Sequence, residues 1–253
     1  MGISQLMALK ATVLLLVFIY YRKSGLALIF LPFVHASLVA YLVAIASLPA
    51  VNLPLLLGKT SDGSFPIWSI IMFGPFLVFI RVFNRLRRLY SMEPLYSEIS
   101  EGLYVGGWPS SFGHLPSDEL AIIDCTCELP RSSSVLRNAY LCVPTWDTRA
   151  PQPLQIENAV RWACRKRAQN KSVFIHCAFG HGRSVCVMCA LLVALGLAED
   201  WKSAEKMIRE KRPYIRMNSL HRKNLEEWSK YRLSSPRDGE SVVSSVINAS
   251  KKQ

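Results

Sequence analysis

Cys177 sits where a cysteine can do chemistry. The apolar, β-type run Val173-Phe174-Ile175-His176 leads into it. Ala178-Phe179-Gly180-His181-Gly182 follows as a glycine-bearing loop, then Arg183, Ser184 and an apolar helical run to Gly196. Strand, tight loop and helix together make a phosphate cradle, because the N–H groups of the loop and of the helix start can converge on one anion. The same dipoles lower a thiol pKa and give a thiolate at neutral pH, a nucleophile suited to phosphorus. Arg183 offers a planar fork for two phosphate oxygens and for the charge that develops on them. Ser184 can hydrogen-bond the sulfur and help it leave. The loop is not a nucleotide P-loop, since it lacks Gly-Lys-Ser/Thr.

Cys-x5-Arg-Ser between a strand and a helix resembles the signature of the cysteine-dependent protein tyrosine phosphatase superfamily. Ser97 to Gly107 resembles the opening of its dual-specificity branch, and Arg212-Pro213 to Asn218 resembles the Arg-Pro segment that trails the signature loop. The resemblance covers roughly residues 97–232. It implies an α/β phosphatase domain with a central sheet flanked by helices. It implies two-step hydrolysis with Cys177 as nucleophile and residues 178–183 as the phosphate-binding loop, without metal or cofactor. Relatives also place a general-acid aspartate in a loop about thirty residues before the cysteine, and Asp147 stands there, in Pro144 to Pro153. The chemistry needs such a group, since an alkoxide leaves phosphorus slowly unless protonated as it departs. Asp124 and Glu128 follow the family's pattern and are read as structural, holding loops near the site. His221 stands near a position where many relatives carry glutamine, which leaves its role open.

The elements that must position these groups follow from local pattern. Strands are predicted over 97–107 (a pair), 120–125, 140–143 and 173–176. Helices are predicted over 154–169, 184–196, 200–211 and 220–231. Residues 89–235 would be the catalytic domain and 236–253 a flexible tail.

Residues 1–88 differ in kind. The chain has 253 residues, 51% hydrophobic, with a net charge of +12. This pairing suggests a membrane part joined to a basic part. Three apolar runs, within 1–22, 26–57 and 65–83, are each long enough for a transmembrane helix. The second should end near Pro49 to Pro54, and the polar stretch Gly58 to Ser64 reads as a turn. A cleaved signal peptide does not fit, because Tyr20, Tyr21, Arg22 and Lys23 follow the first run where small residues belong. Myristoylation at Gly2 does not fit either, with Leu6 where Ser or Thr is wanted. Arg22 and Lys23, and then Arg81, Arg85, Arg87 and Arg88, place both clusters in the cytosol by the positive-inside rule. The N-terminus would then be outside and the catalytic part cytosolic. The seven scattered cysteines show no zinc spacing and suit a reducing compartment. No nucleic-acid motif or internal repeat accompanies the basic charge.

The expected function is therefore a membrane-anchored phosphatase acting through a phosphocysteine. Phosphotyrosine, phosphoserine and phosphothreonine proteins are the first candidates for substrate. A phospholipid head group, of phosphoinositide or phosphatidylglycerophosphate type, is the alternative. An inactive phosphate-binding module comes third, with little support while Cys177, Asp147 and Arg183 are all present.

Overall fold

The computed structural model describes residues 3–22, 27–109, 115–116 and 119–234. The predicted tail at 236–253 lies outside the described residues. Three long apolar helices come first: α1 (Ile3–Tyr21), α2 (Ala27–Ala46) and α3 (Ile67–Leu89). Each is long and apolar enough to cross a membrane. α1 and α2 pair side by side, with Ser37 Oγ donating to the Ala11 carbonyl at 2.8 Å and the Thr12 and Tyr41 hydroxyls 2.9 Å apart. α2 ends before the prolines. Pro49 disfavours helical backbone at Leu48, and the chain turns there before a short 3-10 turn at Pro54–Leu57.

The sheet follows: β1 (Tyr96–Ser100), β2 (Leu103–Gly106), β3 (Leu120–Asp124), β4 (Ala139–Cys142) and β5 (Ser172–His176). Spatial order is β1-β2-β5-β3-β4; β1 and β2 are antiparallel and all other pairs parallel. β5 is central and apolar from Val173 to Ile175, as a strand covered on both faces requires. α4 (Pro153–Arg167), α5 (Arg183–Ala194), α6 (Trp201–Lys211) and α7 (Ser219–Ser234) pack with the sheet around one core. Leu120, Ile122 and Phe174 form a second cluster, covered by Tyr96, Tyr104 and Tyr140. α6 begins on a capping box, in which Asp200 accepts from the Ser203 N–H at 2.7 Å and Ser203 Oγ accepts from the Asp200 N–H.

The turn at Gly58 to Ser64 packs against the catalytic domain. Lys59 Nζ donates to Asp124 Oδ2 at 2.7 Å and to the Thr126 carbonyl at 2.8 Å, and the Arg131 N–H donates to the Gly63 carbonyl. α3 then runs along the domain. Its stripe Phe73, Phe76, Leu77 and Ile80 shares a core with Trp108, Leu129, Trp146 and Ala178. The turn at Gly58 to Ser64 and α3 thus both contact the phosphatase domain.

Candidate active site

β5 delivers Cys177 to the loop and α5 carries Arg183 and Ser184 away from it. The Cys177 sulfur accepts from the Gly180 N–H at 3.3 Å and from the Ser184 hydroxyl at 3.4 Å. Burial works to raise the thiol pKa. The Arg183 charge, the Ser184 hydroxyl and the backbone N–H groups outweigh it and leave Cys177 below the ordinary thiol value. Gly180 has φ +74, and a Cβ there would lie 2.5 Å from the Gly106 backbone, so the loop can close only on glycine. Arg212 is fully buried behind the loop. Its guanidinium donates to the carbonyls of Phe179 (2.9 Å), Gly180 (3.0 Å) and Pro94 (3.1 Å).

Arg183 is 2% exposed and held on three sides. Nη1 meets Glu128 Oε1 at 2.9 Å and the Thr145 carbonyl at 2.8 Å; Nη2 meets Asp147 Oδ1 at 3.2 Å. Burial opposes its charge, but Glu128 and Asp147 keep the guanidinium firmly protonated. Glu128 is buried, whereas the Asp147 side chain is 47% exposed, at the rim where a leaving group would sit. Thr148, next to Asp147, has φ 65, an outlier for a β-branched residue. Asn218 Nδ2 donates to its carbonyl at 2.8 Å and holds the aspartate loop against the Arg-Pro segment.

The structure brings Cys177, Asp147, Arg183, Ser184 and residues 178–182 together around the sulfur and the guanidinium. His181 pairs with Glu93 at the edge of the loop. Burial lowers its pKa more than Glu93, its ring partner, raises it. Among the described residues, no group of three or more His, Cys, Asp or Glu is placed to hold a metal ion.

Sequence reasoning missed one contributor and left two others without an assigned contact. Lys59 was part of a turn with no pattern to mark it. Glu128 proves to be the carboxylate that holds Arg183. His221 lies behind Gly182, where a Cβ would come within 2.9 Å of the imidazole. Burial pushes its pKa down to about 4, and Nδ1 accepts from the Asn218 N–H, so a neutral ring carries its proton on Nε2.

One prediction follows from the lowered Cys177 thiol. The thiolate is lost as pH falls through its folded pKa, so kcat/KM for an aryl phosphate should fall with unit slope on the acid side. That limb should lie below the ordinary thiol range of about 8–9. A limb within that range would mean that the loop does not activate the sulfur.

A sheet of this order, with a buried cysteine under a glycine loop and an arginine at the helix start, defines the cysteine-dependent phosphatase class. The catalytic domain of dual specificity phosphatases matches residues 103–231, and the chain belongs to that family. Among solved structures, PTPMT1 in complex with PI(5)P is 20% identical, with a TM-score of 0.50, over 55% of this chain and 96% of that one. A mutant form of Tk-PTP is 25% identical, with a TM-score of 0.50, over 56% of this chain and 99% of that one. A search of the curated proteins finds no match.

Proposed function

We propose that this chain is a membrane-anchored phosphatase that hydrolyses phosphomonoesters through a phosphocysteine on Cys177. The observation that carries the reading is the sulfur itself, held under the Gly180 N–H and the Ser184 hydroxyl with its pKa lowered. The thiolate attacks phosphorus and the bond to the leaving oxygen breaks. Asp147 donates the proton that oxygen needs. Water then attacks phosphorus, the Asp147 carboxylate takes a proton from it, and the S–P bond breaks with its electron pair returning to Cys177. Ser184 donates to that departing sulfur. Arg183 and the loop N–H groups hold the phosphoryl oxygens through both steps.

The test is a rapid quench during turnover followed by mass analysis. A phosphoryl group on the peptide that holds Cys177 is expected; its absence at every quench time, with product accumulating, would rule out the covalent route. Asp147→Ala should cost roughly 10²- to 10⁴-fold in kcat on alkyl phosphates and far less on aryl phosphates with good leaving groups. Equal losses on both would place the acid elsewhere.

Phosphoproteins near the membrane are the first substrate reading, because Asp147 sits at an open rim and His181, whose pKa burial lowers, is already paired with Glu93, which suits a single phosphate. A phospholipid head group is the second. It is favoured by Arg87, which stacks on Phe179 of the phosphate loop at 4.2 Å and belongs to an apolar helix. The full-length protein in vesicles should be compared on phospholipids and on soluble phosphopeptides. Faster turnover of the peptides supports the first reading, and faster turnover of the lipids the second.

A further inference from the structure

α3 is about 34 Å long at 1.5 Å per residue, enough to cross a bilayer. A crossing helix must hold its ends about 30 Å apart across hydrocarbon. Here the catalytic domain holds both ends. At the start, Ser69 Oγ donates to the Leu57 carbonyl, and Lys59, two residues on, reaches into the sheet at Asp124. In the middle, Phe76 packs edge-on to Trp146, beside Asp147. At the end, Arg87 stacks on Phe179. One side of α3 is therefore spoken for along its whole length.

The opposite side is apolar and open. Ile67, Ile71, Val78, Val82 and Leu89 recur at intervals of four, seven, four and seven residues, a single line down the helix, and all are exposed. Trp68 and Phe83 flank that line, and exposed Arg85 stands near its end. The α1–α2 pair meets a third side: His35 Nε2 lies 3.0 Å from the Met72 carbonyl, and Lys10 Nζ lies 4.0 Å from the Phe79 ring.

We propose that α3 lies flat in the surface of a lipid bilayer rather than through it. Its outer line is seated in lipid and its inner stripe on the phosphatase. A half-buried helix with aromatic and arginine flanks is what an interfacial position demands. The arginines then meet anionic head groups. Only α1 and α2 are left to cross, so the N-terminus and the catalytic domain lie on one side, with the phosphate loop beside the membrane. The four arginines of α3 outweigh Arg22 and Lys23 in setting which side that is. The inference concerns topology alone and stands whether or not Cys177 is the nucleophile.

Two measurements on the full-length protein test it. Ser61 lies in the turn before α3 and Gln169 after α4, and both are exposed. In sealed vesicles of one orientation, Ser61→Cys and Gln169→Cys should react with a membrane-impermeant maleimide from the same side, above the signal of the unsubstituted chain. Labelling from opposite sides means that α3 crosses, and ends the proposal. A benzophenone amino acid at Val78, in vesicles of phosphatidylcholine and phosphatidylglycerol, should crosslink to phospholipid on illumination. Crosslinks to protein alone, or none, overturn lipid as the occupant of the outer face.

Discussion

Cys177→Ser should lose turnover by roughly 10⁴-fold or more while still binding phosphate. Serine keeps a hydroxyl in place of the thiol but has no thiolate form near neutral pH. The phosphate site itself is made by other groups: the Gly180 N–H, the fork of Arg183, and a loop held by Arg212. Only the Gly180 N–H bonds the sulfur, and a serine oxygen can accept in its place. Removing a buried negative charge from the base of the cleft should, if anything, tighten a phosphate dianion. Initial rates on an aryl phosphate and calorimetric binding of inorganic phosphate give the two readouts. A near-normal rate would remove Cys177 from the mechanism. Loss of binding together with loss of rate would show that the loop needs the thiolate to hold its shape.

Lys59→Met is expected to destabilise the protein by about 3–5 kcal/mol, because it leaves Asp124 buried without its counter-charge. The pair is dry, with the two side chains 1% and 0% exposed. Burial alone would raise the Asp124 carboxyl, and Lys59 and the neighbouring donors pull it down to about 2. A carboxyl depressed in the folded state contributes stability that is present above its unfolded pKa and lost as pH falls toward 2. In the variant the sign reverses. Burial then acts with less opposition and the folded pKa rises, so the deficit should shrink as the pH is lowered and Asp124 takes up a proton. Adding Asp124→Asn should recover much of the loss, since the amide oxygen can still accept from Thr126 while its NH2 donates to the Tyr140 hydroxyl, at the two positions where the carboxylate accepts now. Thermal unfolding at pH 5 and pH 8 measures all of this; a single-variant Tm within a degree of the parent would show that the pair carries no net stability. At 2–4 °C per kcal/mol, the expected fall is roughly 6–20 °C. A chain shortened to begin near Leu89 should fare worse, because it also uncovers Trp146 and Trp108.

The phosphate loop was legible because its residues are close in sequence and of special types. Two glycines, a cysteine, an arginine and a serine in twelve residues leave few structures to choose from. Asp147 was legible through its spacing and the resemblance. Lys59 was not, since one lysine in Gly-Lys-Thr-Ser-Asp-Gly-Ser looks like any solvated turn. α3 is ambiguous for a different reason. Its inner stripe and its outer line are both apolar, so hydropathy cannot tell a helix covered by protein on one side from one surrounded by lipid. The end of α2 came earlier than the prolines because the residue before a proline already resists helix.

Arg212 makes the loop behind Cys177 part of the folded scaffold rather than a flexible arm. It draws the Phe179 and Gly180 carbonyls backward, away from the sulfur. A loop that closed only on contact with an anion would divert some of the binding energy into ordering itself. Here the ordering is completed when the chain folds. The energy of phosphate contact then stays available for the step in which phosphorus is crowded between sulfur and oxygen, where it lowers the barrier.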